Sequence, residues 1–218
     1  MLDGYVTDYV RIQQAVSKLY KQLALVEQDE ERIMAITQRR IDLLQPICDS
    51  INHNSYYNLI QEMAAELSEI YTAKFSMLYD PVEQGKKKAT KKLKAECNLA
   101  CRKSIEYSKF VCDSIYKSDD KYEFVQAVIN MELNASSRWT KIFAEDLKEQ
   151  VQNMKNAYEG YERLRKFVNE FKKSKNCAKD EDCLSKDGLV QIKICDEMIE
   201  LLPQKISKVN QALHMSLK

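Results

Sequence analysis

Glycine and proline are nearly missing: 218 residues hold four glycines and three prolines. A sheet-rich protein of this length needs many tight turns, and those turns draw on Gly, Pro, Asn and Asp. The scarcity therefore excludes a sheet-rich fold. The glycines Gly4, Gly85, Gly160 and Gly188 are too dispersed to form a phosphate-cradling loop. Histidine is limited to His53 and His214, and neither stands four residues from another histidine, as metal ligands on a helix do. No serine or cysteine sits in a nucleophile signature. These absences point away from an enzyme, a cofactor and a metal. No apolar run approaches the roughly 20 residues that a membrane-spanning helix needs. Met1–Gly4 opens without the basic-then-apolar pattern of an export signal. An excess of one charge is missing too. Basic residues number 34 and acidic residues 33, a formal charge of +1, which argues against a general nucleic-acid or membrane-surface binder.

Apolar residues make up 44% of the chain, enough for a real core. Long runs of Lys, Glu, Gln, Leu, Ala and Met favour helix. With no export signal, the seven cysteines read as reduced thiols of a cytoplasmic chain, and their odd number fits. Cys97 and Cys101 stand four apart, but structural zinc wants a second ligand pair, and none is evident. Buried small hydrophobes are the expected role. Cys177 and Cys183 flank an acidic loop segment. Asn134-Ala135-Ser136 matches a glycosylation acceptor but falls inside an expected helix.

The spacing predicts a first helix over 7–26 capped by Thr7, with Val16, Leu19, Leu23 and Val26 on one face. A second covers 29–45 and stops at Pro46. A third runs from a Ser55 cap to Tyr79, before Asp80-Pro81. After the lysine-rich link Gly85–Lys88, a fourth ends near Tyr116. Ser118-Asp119-Asp120 caps a fifth that ends near Phe143, and a sixth covers 145–171. A polar stretch follows, then a seventh helix over 189–202, Pro203, and a short last helix from Lys205. The loops fall at 80–88 and 172–188. Short links make sequential helices antiparallel neighbours. "CRKSIEYSKFVCDSI" and "NAYEGYERLRKFVNEF" place small and aromatic residues at four-residue steps, as the second helix of a tetratricopeptide unit does, although the full repeat signature is missing. The expected fold is all-α: an α-solenoid of antiparallel helix pairs, tetratricopeptide-like, with about seven or eight helices, favoured over a closed bundle. The expected organisation is one helical-repeat subdomain over 1–218.

The most marked stretch is "EQDEERIMAITQRRIDLLQP", Glu27 to Pro46. On a wheel of about 100° per residue, Ile33, Ile36, Ile41 and Leu44 share one broad face, with Glu31, Gln38, Asp42 and Gln45 opposite. Acids in the first turn suit the helix dipole. Arg40 falls on the apolar face. A guanidinium cannot shed its charge there, so it is expected to anchor on a carboxylate or carbonyls of an adjacent helix. Trp139, beside Ile142 and Phe143, is a second expected structural anchor, and Ala135, Ser136 and Ser137 are small enough for close helix approach. "KKKATKKLK", Lys86 to Lys94, is a basic helix start with no interleaved aromatics, and its default reading is a solvated helix end.

Tyr5-Val6-Thr7-Asp8, the Asp29…Glu31-Arg32 turn, Arg39-Arg40-Ile41, Leu44…Pro46 and, late in the chain, "EMIELLPQKI" (Glu197 to Ile206) together resemble the C-terminal part of the KIF-binding (kinesin-binding) protein family. The resemblance covers nearly the whole chain and lacks the family's N-terminal tetratricopeptide portion, which implies a piece of a longer protein. It implies an α-solenoid without enzymatic activity. Such a scaffold binds kinesin motor domains, blocks their attachment to microtubules, and so regulates mitochondrial and axonal transport in the cytoplasm at the cytoskeleton. It brings no individual contact residue with it, and the 172–188 loop is longer than usual for the family. Physics adds one constraint. A motor face that grips acidic tubulin is basic, so its competitor should present acids. Asp29, Glu30, Glu31, Asp119 and Asp120 are the candidates, although helix-start acids explain the same residues. Two alternatives remain open: a generic helical-repeat module for a different peptide or helix, and a nucleic-acid or lipid binder acting through Lys86–Lys94.

Overall fold

The computed structural model describes residues 5–216. Met1–Gly4 and the side chain of His214 lie outside the described residues. Seven α-helices account for most of the described chain: α1 (Val6–Val26), α2 (Glu30–Ser50), α3 (Tyr57–Glu83), α4 (Lys91–Tyr116), α5 (Val125–Trp139), α6 (Leu147–Ser174) and α7 (Lys186–Ser216). Short 3-10 turns at Lys121–Phe124 and Asp180–Asp182 precede α5 and α7. The all-α class and the antiparallel pairing are as expected.

Side chains that satisfy free backbone donors mark several starts. Asp29 accepts from the Arg32 N–H at 2.9 Å and begins α2. Thr90 accepts from the Leu93 N–H at 3.2 Å ahead of α4. Asp146 accepts from the Glu149 N–H, while the Glu149 carboxylate accepts from the Glu145 N–H, both at 2.7 Å, ahead of α6. Two expected caps are corrected. Thr7 lies inside α1, which starts at Val6 with no side-chain cap. Ser55 lies in a turn organised by the Asn52 side chain, which accepts from the Asn54 and Ser55 N–H groups, and α3 begins at Tyr57.

The prolines are the larger correction. Pro46, Pro81 and Pro203 all lie inside helices, so α2 runs on to Ser50, α3 to Glu83, and the two expected last helices are one. Proline removes one backbone donor and crowds the carbonyl four residues back. Pro46 faces solvent while Leu44, Ile47 and Cys48 beside it are buried, so packing holds the last turn of α2 in place. The link before α4 spans 84–90 and the one before α7 spans 175–185, because α6 and α7 each extend into the expected 172–188 loop. The expected fifth helix is likewise shorter. Asp120 leads a 3-10 turn, and α5 ends at Trp139 rather than near Phe143.

Where one subdomain was expected, contacts cluster into two compact units, 1–111 and 112–218, dividing within α4. In the first unit α2 packs against both α1 and α3. α3 meets the first part of α4 through Ser68–Ser108 (2.6 Å) and Thr72–Ser104 (2.9 Å) hydroxyl pairs, and Leu44, Ile60, Met63, Leu67 and Ile70 are fully buried in its core. In the second unit α6 packs against both α5 and α7 around Val128, Ile129, Leu164, Ile192 and Leu202. Gly160 of α6 passes close to α5. An added Cβ there would collide with Ser136 Oγ and stand 3.2 Å from Ser136 Cβ, so the small residue at 136 does admit a neighbouring helix. α1 buries Val6, Val10, Gln14 and Ser17, leaving Leu19, Leu23 and Val26 outward.

Candidate functional site

The acidic start of α2 rims a groove. Glu30, Glu31, Ile33 and Met34 of α2 face Ser76, Met77, Leu78, Asp80 and Pro81 of α3, with Lys87 and Leu93 completing a cavity of about 640 Å³. Its floor is aliphatic and thioether. Its rim carries three carboxylates, Glu30, Glu31 and Asp80, against one ammonium, Lys87. None of the three is ion-paired among the described residues. Asp29 is committed to capping α2. Glu27 organises the same turn. Its carboxylate accepts from the Asp29 and Gln28 N–H groups, and those bonds hold its pKa below the ordinary carboxylate value.

Arg40 fixes α2 against its neighbours. It is only 7% exposed. Its Nε donates to Ser17 Oγ of α1 and its terminal nitrogen to Glu66 Oε1 of α3, each at 3.1 Å, while the Ser17 hydroxyl donates to the same Glu66 oxygen. One carboxylate thus collects a guanidinium and a hydroxyl from two helices. Around this centre, Arg11–Glu62 and Lys21–Glu69 ion pairs tie α1 to α3, and Lys74 of α3 donates to Gln38 of α2 at 2.6 Å. These contacts explain why α1 buries polar Ser17, and Arg11 also donates to the buried Gln14 at 3.2 Å, while several leucines of α1 face outward.

Asp119 and Asp120 belong to the other unit and are exposed. The Ser118 hydroxyl accepts from the Asp120 N–H at 3.2 Å, and Asp120 leads the 3-10 turn without a side-chain cap. Trp139, at the end of α5, is half-buried, and Ile142 beside it is buried.

The second unit also holds an ion network that sequence reasoning missed. Glu132 of α5 is 2% exposed. Arg163 of α6 donates to it from Nε (3.1 Å) and a terminal nitrogen (2.6 Å), and to Asp113 of α4 at 2.7 Å. The guanidinium lies 5.4 Å from the Tyr116 ring centroid. Burial works against the Arg163 charge, but Glu132 outweighs it and keeps the pKa raised. Burial, then Glu132, raises the Tyr116 and Cys112 pKa values. The available signal was a glutamate set among Val128, Ile129 and Leu133, the apolar face of α5.

None of the seven cysteines is in a disulfide, and Cys48, Cys97, Cys101, Cys112 and Cys195 are buried. Burial pushes Cys48 and Cys97 up to about 11 and Cys195 up to about 12, which leaves them as thiols rather than thiolates at neutral pH. Cys177 and Cys183 are half-buried in the loop before α7. His53 packs edge-on against Phe110. Among the described residues no three His, Cys, Asp or Glu side chains gather as a metal site would require. No described helix is long and apolar enough to cross a membrane.

A sequence model of the family described as KIF-1 binding protein C terminal matches residues 1–209. Curated relatives extend the match. A KIF-binding protein of Danio rerio is 26% identical over 99% of this chain and 33% of its own length. One of Xenopus tropicalis is 28% identical over 95% of this chain and 33% of its own length, and one of Homo sapiens is 23% identical over 95% and 32%. The chain therefore spans about a third of the length of the relatives it matches.

Proposed function

The chain belongs to the KIF-1 binding protein C-terminal family, and from that premise we propose that it is a non-enzymatic scaffold that binds kinesin motor domains and keeps them off microtubules. The observation that carries this reading is the family match over residues 1–209, together with relatives named KIF-binding protein across nearly all of the chain. Its place of action would be the cytoplasm, at the cytoskeleton, in the control of microtubule-based transport of mitochondrial and axonal cargo.

Charge supports a mode of action. A surface that competes with acidic tubulin for a basic motor face must itself be acidic. Asp29, Glu30, Glu31, Asp119 and Asp120 are the proposed contacts. Glu30 and Glu31 are the stronger pair, because their side chains are unpaired and exposed beside an apolar floor, whereas Asp29 is spent on its helix cap. Apart from Lys87 and Leu93, which line the same groove, the Lys86–Lys94 run supplies the opposite charge and is left out of the contact surface.

The test immobilises the chain and passes a panel of purified kinesin motor domains over it at low and high salt. At least one motor should be retained at low salt and weakened by salt, because exposed charge pairs are screened. Glu30→Lys with Glu31→Lys should weaken retention by about tenfold. Retention of every motor unchanged by these reversals would remove the acidic contacts. Failure of the whole panel would count against motor binding by this chain.

A further inference from the structure

The α2–α3 groove combines three properties. It is deep enough for several side chains, with a cavity of about 640 Å³. Its floor, Ile33, Met34, Met77, Leu78, Pro81 and Leu93, is apolar, and its two methionines are unbranched and can repack around an incoming side chain. Its rim has three carboxylates against one ammonium, and no described cation pairs with any of the three.

We propose that this groove docks an amphipathic helix whose apolar face is flanked by lysine or arginine. The floor dictates apolar anchors, because polar atoms there would lose water without finding partners. The rim dictates basic flanks, because Glu30, Glu31 and Asp80 outnumber the single Lys87 ammonium, while an acidic flank would meet three like charges. The helical form follows from the walls. α2 and α3 are neighbouring helices whose side chains form a cleft between them, and α2 already packs between two helices. A helix laid into a helix-lined groove presents anchors at three- and four-residue steps. Lys87, held close by its backbone N–H bond to the Pro81 carbonyl at 2.9 Å, offers a site for one acidic residue of the ligand. The proposal deepens the partner-binding reading and rests on it, but not on the partner being a motor.

The probe is a fluorescein-labelled Leu/Lys amphipathic helix of about four turns, with its Leu/Glu counterpart as control. Fluorescence anisotropy should show the Leu/Lys helix binding the full chain and the Leu/Glu helix failing to bind. Glu30→Lys with Glu31→Lys should weaken binding by about tenfold or more, and Asp119→Lys with Asp120→Lys by less than about twofold. All four positions are exposed, so folding should survive, and circular dichroism checks it. Methyl-labelled methionine spectra should show shifts at Met34 and Met77 and none at Met154, which is buried in the other unit. Equal losses in both double variants, or unmoved Met34 and Met77 methyls, would overturn the proposal. The motor test is separate. Peptide docking at the groove with no motor retained leaves the groove and removes the motor assignment. Motor retention without peptide docking does the reverse.

Discussion

At the residue scale, Arg40 shows how one side chain can be legible from sequence. A charged residue on an otherwise apolar face has few stable arrangements, so the pattern alone demanded a partner on a neighbouring helix. It could not say which, because Ser17 and Glu66 lie 23 and 26 positions away on either side. Arg40→Ala strands the Glu66 carboxylate, which is nearly buried, and should destabilise the first unit by about 3–5 kcal/mol in urea unfolding. Arg40→Lys should recover only part of this, since an ammonium cannot donate along both directions of the fork. Glu132 likewise stands on an apolar face, but its partner was not legible, because Arg163 lies 31 positions on in an otherwise ordinary helix pattern. Gly160 gives a second test. Gly160→Ala should cost about 1–3 kcal/mol through collision with Ser136, even though alanine is the better helix former. Adding Ser136→Gly should recover much of that loss, and a double-mutant cycle measures the coupling.

At the element scale, the helices themselves were plain from the apolar period and the lack of glycine. Their ends were not. Pro46, Pro81 and Pro203 looked like stops because proline breaks isolated helices, but tertiary packing of the surrounding residues overrides that local cost. Pro46→Ala restores one backbone donor on an exposed turn and should raise the unfolding free energy by about 1–3 kcal/mol, visible as a higher Tm with unchanged helix content. The polar composition of the stretch before α7 predicts only a long loop. It is pinned instead by charge: Arg165 and Lys172 of α6 hold Asp180 at 2.8 and 2.9 Å, and Arg165 also meets Asp196 of α7 at 3.0 Å. Burial opposes the Asp180 charge, but Lys172 and Arg165 outweigh it and hold the pKa below the ordinary carboxylate value. A depressed acid stabilises the fold above its unfolded pKa and loses that contribution as pH falls through its folded one. Asp180→Asn should therefore lower stability at neutral pH by about 1 kcal/mol after solvent screening. The gap between the two proteins should close on acidification below the carboxylate range, as followed by thermal melts across pH.

At the scale of the whole molecule, composition was enough for the all-α class, since scarce glycine and proline leave little else. The division into two units was not legible, because it falls within the continuous α4, where no linker composition marks it. The proposed function rests on the family match and not on any pattern of the residues themselves. Helix grammar accounts for most of the charged positions, the first-turn acids Glu30 and Glu31 included, and only the structure sets those two beside Asp80 on an apolar groove. The most direct test of motor binding replaces the matching third of the Danio rerio relative with this chain. Microtubule co-sedimentation then uses a kinesin motor domain that the unmodified relative retains. The chimera should keep this motor in the supernatant, and Glu30→Lys with Glu31→Lys should return it to the microtubule pellet. A folded chimera that leaves the motor in the pellet, while the unmodified relative does not, would contradict motor binding by this chain.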